Sequence, residues 1–495
     1  MSEANLVEAD TGSALQVEHH GYDYIGEEGR YLRPRTLFPF WWGSSIGANG
    51  IIVGAGVVAL GLSLWMALIV VVVGTSAFAL IAYVQAAGPR SGMPTMTYTR
   101  SAFGVKGNRI NGVFSWFVLV GSEVLNELFI VLAIKALVIQ FGWHNPGRGG
   151  LLLFIAIGIC VPAVIAIYGH RMMFLAQKVG AVSMTVVIVL VAIWIIPHVN
   201  WNFHETVHGH VLFGAVLTGL AVVIGVPLSY ACVAGDYARY LPSNTRMGQI
   251  VSWTFSGVGL VTLLCSGLGV LIYTVAPTVT SDPAGALKPL IPVWLYVLFM
   301  LVVALGSIAN QIITFYSSGL TMQAMGVPLA RWRATIVDCV VSAAIIIYIE
   351  FFNNHLSTVV GDYLSFVNVW AGPFLAIMLV DAIRRRWSYD PVGMHTLTPL
   401  SPYWGKGGWN VAGITAQVIG MIVGLLTINN ALFESPFAHL AWNADFSWLF
   451  PFLIGGAVYW AMTAKRGVLG AGAPAAPVAG SAAAVEVPEP DLPAS

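Results

Sequence analysis

Apolar stretches of about 20 residues, the length that spans the hydrocarbon core of a bilayer as an α-helix, recur along almost the whole chain. Of the 495 residues, 57% are hydrophobic and 9% are charged. A soluble protein of this size needs a larger charged fraction to cover its surface. We therefore predict an all-α integral membrane protein in contact with the lipid bilayer.

Twelve such stretches predict twelve transmembrane helices, numbered here as spans 1 to 12: 37–62, 64–87, 111–141, 150–168, 172–196, 211–234, 249–276, 291–319, 334–352, 356–383, 411–432 and 446–464. Polar residues 1–36 carry no signal-peptide pattern and are interpreted as a cytoplasmic N-terminal tail. Residues 467–495 are rich in Ala, Pro, Gly and Glu, which predicts a disordered C-terminal tail.

Basic residues orient the spans in the membrane. Of the 22 Lys and Arg residues, nineteen fall in segments that are cytoplasmic if the N-terminus is inside. Arg148 and Lys288 fall in outer loops, and Lys135 lies near the outer end of span 3. Because cytoplasmic loops carry the excess of Lys and Arg, both termini are predicted to be cytoplasmic, in the plasma (inner) membrane.

Helix-weakening residues interrupt two of the spans. Gly43–Gly50 lie inside span 1, and the run GVPLSY (Gly225–Tyr230) places Pro227 inside span 6. The interruptions are five helices apart, so a second five-helix unit would enter the membrane upside down. Paired interruptions of this kind are typical of inverted-repeat transporters, whose sites lie at the breaks.

We accordingly predict a first repeat at 37–196, a second at 197–385, and spans 11 and 12 within 386–466. Ser45 and Gly47 are candidate substrate-binding residues at the first break. The alternative for these glycines is close helix packing, since Gly43/Gly47 and Gly50/Gly54 also have GxxxG spacing.

Polar residues inside three spans are further candidates. On span 8, Ser307, Asn310, Thr314 and Ser317 share one helical face. A polar stripe in a membrane helix faces either a cavity or hydrogen-bonding partners on a neighbouring helix, and both interpretations stay open.

Span 3 carries two carboxylates one turn apart, Glu123 and Glu127, with Asn126 beside them. Two ionised carboxylates at this spacing repel each other in a low dielectric, so at least one is protonated or paired. They are candidates for coupling transport to protons, and the alternative is a structural partnership with another helix. After span 6, Asp236 and Arg239 are candidates for an inner gate, or simply residues at the water interface.

Several function classes have no support in the sequence. A Walker motif is absent, so ATP is not the predicted energy source. Four cysteines without paired spacing and one loop cluster of His204, His208 and His210 predict no metal site, no resident cofactor and no enzyme. A net charge of zero suggests no nucleic-acid partner. Because no Lys or Arg lies deep in a span, a neutral substrate is favoured over an anion.

Longer motifs resemble the nucleobase–cation symport-1 family, and within it the purine–cytosine permease branch. The resemblance runs from about residue 17 to 430 and is carried by five segments: VEHHGYDYIGEEGRYLRPRTLFPFWW, GPRSGMPTMTYTRSAFG, GDYARYLP, YLSFVNVWAGPFLAIMLVDAIRRR and YWGKGGWNVAGITAQVIG.

The resemblance implies a leucine-transporter-type fold, in which five plus five inverted helices with broken helices 1 and 6 are followed by two more. It also implies symport of a heterocyclic base with Na⁺ or H⁺. By position, Asn126, Asn310 and Thr314 correspond to polar residues that bind the base, and Tyr230 to an aromatic residue that stacks on it.

The sequence departs from the family at the cation site. Gly43 and Ile46 match the helix 1 positions whose main-chain oxygens bind sodium. The expected hydroxyl positions of helix 8 hold Ile308 and Ala309, with Ser307 one residue away. Proton coupling through Glu123 or Glu127 is therefore favoured over sodium. Ser122 also replaces a frequent helix 3 tryptophan.

The predicted function is a secondary active symporter that imports a neutral nitrogen heterocycle, with a nucleobase such as cytosine or a purine favoured. Alternatives are importers of hydantoin-, allantoin- or thiamine-like compounds, an amino-acid or osmolyte symporter of the same fold, a membrane-embedded enzyme, and a channel. The exact substrate, the coupling ion and the oligomeric state stay open.

Overall fold

A computed structural model describes residues 21–143, 146–352, 356–430, 433–437 and 442–464, except for the side chains of 356–362. Residues 1–20 of the predicted N-terminal tail and all of the predicted C-terminal tail lie outside the described residues.

The described chain is built from helices, and its membrane crossings are twelve, as predicted. Nine helices are long and apolar enough to cross a membrane, a bent pair forms one broken crossing, and two shorter apolar helices follow. We label them α1a (Leu37–Ser45), α1b (Ala48–Ala59), α2 (Leu64–Ser91), α3 (Val105–Gln140), α4 (Gly147–Tyr168), α5 (His170–His198), α6a (Gly209–Ser229), α6b (Ala234–Ala238), α7 (Met247–Tyr273), α8 (Val293–Ala324), α9 (Arg331–Phe352), α10 (Leu356–Arg385), α11 (Val411–Thr427) and α12 (Phe450–Thr463).

Among helices 1 to 10, packing contacts recur when both helix numbers are shifted by five, with the numbering returning to 1 after 10. Helix 1 packs on helix 7 as helix 6 packs on helix 2, and α1a packs on α5 as α6a packs on α10. Likewise the packing of α3 on α9 has its counterpart in the packing of α8 on α4. The pairs α3–α8 and α4–α9 map onto themselves under this shift. This pattern is the packing expected of two five-helix units related by an inverted repeat.

The first break lies inside the glycine-rich stretch of span 1. α1a ends at Ser45, α1b begins at Ala48, and their axes differ by 65°. Ile46 and Gly47, at φ −80° and 170°, connect the two halves in extended conformation. Neither residue therefore belongs to a continuous helical ladder, so their backbone groups are available at the break.

Most of the other span 1 glycines serve packing. A Cβ on Gly43 would collide with the backbone of Gln177 on α5, and one on Gly54 with the backbone of Ser266 on α7. A Cβ on Gly47 would meet nothing closer than 3.8 Å. The two interpretations of the stretch thus apply to different residues, because only Gly47 of these three has open space in front of it.

The second break lies further along the chain than predicted. α6a continues through Pro227 to Ser229, and the interruption is a short 3₁₀ turn at Tyr230–Cys232 before α6b. A proline inside a helix removes one hydrogen bond and bends the helix without necessarily ending it. The predicted interruption, Gly225–Tyr230, and the observed one therefore overlap at Tyr230, with the helix retained through Pro227.

The segment before α1a is not a free tail where it is described. The Ile25 amide donates to the Gly92 carbonyl at 2.9 Å, and the Leu32 amide donates to the Tyr240 carbonyl at 3.0 Å. Arg30 Nη1 donates to the Pro89 carbonyl at 2.6 Å. This segment therefore packs across the ends of α2 and α6b.

Candidate functional site: a cavity at the helix breaks

A cavity lies where the two breaks face α3 and α8. All six residues predicted to bind substrate line it: Ser45, Gly47, Asn126, Tyr230, Asn310 and Thr314. Its remaining wall is mainly apolar and includes residues of α1b, α6a and α10. The broken helices thus bring residues that are far apart in sequence to one enclosed space near the middle of the spans.

Asn310 is the centre of a hydrogen-bonded cluster. Its Nδ2 donates to the Ser44 carbonyl at 2.9 Å and to the Tyr230 hydroxyl at 3.0 Å. Its Oδ1 accepts from Asn126 Nδ2 at 2.8 Å. Both ends of the side-chain amide are used, so the cluster joins α1a, α3, α6a and α8 through one residue.

Aromatic rings support the Tyr230 side of the cavity. Trp41 packs edge-on to Tyr230 with ring centroids 5.6 Å apart, and Phe78 does the same at 5.7 Å. Trp41 is almost completely buried. Tyr230 therefore presents its hydroxyl to the amide cluster from a ring that neighbouring aromatics hold in place.

Sequence reasoning missed several polar residues of the cavity, among them Asn49, Ser122 and Tyr363. Asn49, on α1b, donates to Asn126 Oδ1 at 3.4 Å. Ser122 and Tyr363 both line the cavity, and their hydroxyls lie 2.7 Å apart. The asparagine lies within the glycine-rich stretch that drew attention to span 1, and Ser122 had been noted only as a replacement for tryptophan.

Thr314 lines the cavity, but its hydroxyl donates to the Gln311 carbonyl of its own helix at 3.0 Å. Ser317, one turn further along the predicted polar face of α8, lies 2.8 Å from the Tyr237 hydroxyl. The polar face of α8 thus faces the cavity at one end and helix–helix contacts at the other, so both interpretations of the stripe hold for part of it.

Asp236 and Arg239, the candidate gate pair, are buried and contact different groups. Asp236 Oδ1 accepts from the Thr95 amide at 2.7 Å. Arg239 donates to the Gly21 carbonyl at 2.8 Å and to the Tyr316 hydroxyl at 3.1 Å. Each residue ties α6b to another part of this end of the bundle, and their role as a gate stays a prediction.

The two α3 carboxylates lie behind the cavity wall. Glu123 faces α9, where the Ser342 hydroxyl donates to its Oε2 at 2.6 Å and Asp338 lies within hydrogen-bonding reach. Glu127 accepts from Gln311 Nε2 at 3.4 Å, on the side where Gly158 of α4 leaves room for the carboxylate. Asp338 was not among the residues singled out from the sequence.

The candidate cation residues Gly43, Ile46 and Ser307 lie along the first break and α8. Ile46 and Ser307 line the cavity, whereas Gly43 packs against the backbone of α5. Close by, Gln177 Nε2 donates to the Ala309 carbonyl of α8 at 2.7 Å. A side-chain amide therefore already binds a main-chain oxygen of α8 on the side that faces α5.

No group of three His, Cys, Asp or Glu side chains that could hold a metal ion occurs among the described residues. In particular His204 and His208 are exposed before α6a, and His210 is exposed in its first turn.

The broken helices, the inverted repeat and the central polar cavity define the class of multi-pass membrane transporter with an inverted-repeat fold. A family model described as permease for cytosine/purines, uracil, thiamine, allantoin matches residues 24–450. The chain belongs to this family, and it is a purine–cytosine permease-type symporter, not an enzyme.

Similar proteins agree with this assignment. The putative purine–cytosine permease YxlA of Bacillus subtilis is 22% identical over 464 residues, covering 91% of this chain and 97% of the relative. The purine–cytosine permease fcyB of Emericella nidulans is 26% identical over 292 residues, covering 54% and 56%. The structure of Mhp1, a nucleobase–cation-symport-1 transporter in a closed conformation with bromovinylhydantoin bound, has a TM-score of 0.71 at 16% identity and covers 93% and 98%.

Proposed function

We propose that this protein imports a neutral nitrogen heterocycle, a nucleobase such as cytosine or a purine, through the plasma membrane, driven by a proton gradient. The observation that carries the proposal is the amide cluster of Asn126 and Asn310 in an otherwise mainly apolar cavity. Each amide offers a donor and an acceptor side by side, which matches the edge of a nucleobase.

The amides of Asn49, Asn126 and Asn310 bond to one another, so a ligand that binds them must replace these bonds with equally good ones. A molecule whose edge alternates N–H and C=O groups does so, whereas one without these groups leaves buried amides unpaired at a cost of about 1–3 kcal/mol each. This argument favours a base over an amino acid or an osmolyte as substrate.

Charge around the cavity supports a neutral substrate. Its lining contains no Lys, Arg, Asp or Glu among the described residues. A charged ligand would lose its hydration without gaining a counter-ion, which is costly in a low dielectric. The aromatic side chain of Tyr230, which lines the cavity, suits a flat ring.

Two observations favour protons over sodium as the coupling ion. The Gln177 amide binds the Ala309 carbonyl, and helix 8 lacks hydroxyls at positions 308 and 309. In addition, buried carboxylates lie on α3 next to the cavity at Glu123 and Glu127. Both termini are proposed to be cytoplasmic, in keeping with the excess of basic residues on that side.

The direct test is an uptake panel with the purified protein in proteoliposomes. Radiolabelled cytosine, adenine, hypoxanthine, uracil, allantoin and hydantoin are offered with an imposed pH gradient, with and without Na⁺, and with a protonophore. We expect cytosine or a purine to accumulate without Na⁺ and to stop accumulating with the protonophore. Accumulation of a charged amino acid instead, or of a base only when Na⁺ is present, contradicts the proposal.

A further inference from the structure

We infer that Glu123 and Asp338 form a single proton-binding site between α3 and α9, in which two carboxyl groups share one proton. The inference deepens the proposed function and rests on it in one respect, that protons drive transport. It assigns the coupling proton to a pair of residues and excludes Glu127 from that role.

The two carboxyl groups lie face to face in a fully buried position. Both side chains have essentially no exposed surface, and each is within hydrogen-bonding reach of the other. The outer oxygens are satisfied by donors, since Ser342 donates to Glu123 Oε2 at 2.6 Å and Trp116 Nε1 donates to Asp338 Oδ1 at 2.9 Å.

The inner oxygens are those that lack a donor. Glu123 Oε1 and Asp338 Oδ2 are both buried and have no hydrogen-bond partner in the described structure when no carboxyl proton is present. A single proton on either carboxyl satisfies both atoms at once, because the protonated oxygen donates to the unprotonated one. Ser318, whose buried hydroxyl also has no partner, lies within hydrogen-bonding reach of Asp338 and is a further donor beside the pair.

The surroundings supply no positive charge to replace that proton. No Lys, Arg or His contacts either carboxyl among the described residues. The other titratable groups around the pair are the thiols of Cys339 and Cys160 and the Tyr363 phenol, with Glu127 one turn along α3. Two bare carboxylates there would each cost several kcal/mol of desolvation and would repel each other, so one proton stays bound.

Position links the pair to the substrate cavity. Glu123 directly follows Ser122, whose hydroxyl bonds to Tyr363 of α10, and it precedes Asn126 of the amide cluster by three residues. Loss of the proton creates repulsion between α3 and α9. Because α3 carries Ser122 and Asn126, this repulsion acts on the helix that contacts the cavity through those two residues. Glu127 differs, since its described hydrogen-bond partner is the neutral amide of Gln311, and the nearby carboxylate of Glu350 acts on it through charge and not through a hydrogen bond.

The experiment compares four variants in proteoliposomes with a pH gradient and a radiolabelled substrate from the panel above. Asp338→Asn and Glu123→Gln are expected to reduce accumulation to the level seen with the protonophore, while ligand-induced thermal stabilisation persists. Glu127→Gln is expected to accumulate substrate, and so is Glu350→Gln, a partly exposed carboxylate near the other end of α9. Accumulation by Asp338→Asn at the wild-type level overturns the inference.

A milder variant covers the case in which the isosteric changes prevent folding. Ser342→Ala removes the hydroxyl that stabilises ionised Glu123 and leaves both carboxyl groups in place. The pH profile of accumulation is expected to move to higher pH, which a purely structural role of Ser342 would not cause. An unchanged profile counts against the shared proton.

Thermal unfolding separates this inference from the proposed coupling ion. A proton held by the folded pair stabilises the protein at low pH, and this stabilisation is lost as the pair deprotonates at higher pH. Wild type should therefore lose stability relative to Asp338→Asn as pH rises, whichever ion drives transport. A difference that stays constant across pH overturns the pair, whereas Na⁺-dependent uptake with a pH-dependent difference overturns only the proposed coupling.

Discussion

At the scale of single residues, Asn310 organises the cavity, because both the donor and the acceptor of its side-chain amide bond to other parts of the wall. A residue of this kind holds the walls of the site together and must exchange one of these partners for a substrate that binds it. Its removal therefore tests ligand recognition more directly than the removal of any apolar wall residue.

Asn310→Ala is expected to weaken substrate binding by roughly 5- to 150-fold, which corresponds to about 1–3 kcal/mol for a buried partner left unpaired. Isothermal titration of purified protein measures the effect. Asn368→Ala serves as a control, because that buried amide donates to the Ala221 carbonyl outside the cavity. The control should lower thermal stability and leave affinity unchanged, and wild-type affinity in Asn310→Ala would remove this residue from the site.

Two glycines of the first break give a matched pair. Gly47→Val is expected to keep a wild-type melting temperature without ligand, since its extended backbone accepts a branched side chain and the space in front is open. It should lose ligand-induced stabilisation, because the new side chain enters the cavity. Gly54→Val is expected to unfold at a lower temperature, because its Cβ meets the backbone of α7. Thermal shift assays of both variants decide whether Gly47 serves binding or packing.

At the scale of elements, the cavity is closed partly by a contact between α3 and α10. The Tyr363 hydroxyl donates to the Val118 carbonyl at 2.6 Å and lies 2.7 Å from the Ser122 hydroxyl. The Trp370 indole of α10 also donates to Asn111 Oδ1 of α3 at 3.1 Å, so the Tyr363 hydroxyl is not the sole polar contact between the two helices. Tyr363 is the one that lines the cavity, so its loss is expected to act on gating.

Tyr363→Phe is expected to speed substrate dissociation by about 3- to 10-fold, the effect of losing one or two hydrogen bonds of modest net strength. Stopped-flow displacement of a labelled substrate measures this rate. Tyr348→Phe, an exposed tyrosine on α9, provides the control and should have no effect. An unchanged dissociation rate in Tyr363→Phe would mean that this contact does not restrain the closed cavity.

At the scale of the whole molecule, much of the architecture was predictable because the membrane leaves so few choices. Apolar run length predicts the twelve crossings, and the glycine-rich stretch predicts the first break. The second break lies at the end of the predicted run Gly225–Tyr230 and not at Pro227, since a proline is compatible with a continuing helix, and only the three-dimensional packing shows where α6a ends.

The site was predictable where polar residues recur at helical spacing, as at Asn310 and Thr314. Asp338 and Asn49 were missed because the spacing of polar residues along one helix, such as Thr335, Asp338 and Ser342, does not reveal which other helix they face. Asp338 becomes informative only when α9 packs on α3 and brings it to Glu123. Partnerships between helices distant in sequence cannot be read from the periodicity of either one alone.

At the scale of the whole molecule, substrate and proton are proposed to move together, and a measurement of proton flux during substrate uptake tests this proposal most directly. Purified protein is placed in proteoliposomes that contain a pH-sensitive dye, in Na⁺-free medium and without an imposed gradient. Addition of the substrate identified by the uptake panel should acidify the lumen in wild type and not in Asp338→Asn. Substrate uptake by wild type with no change in luminal pH would contradict the account.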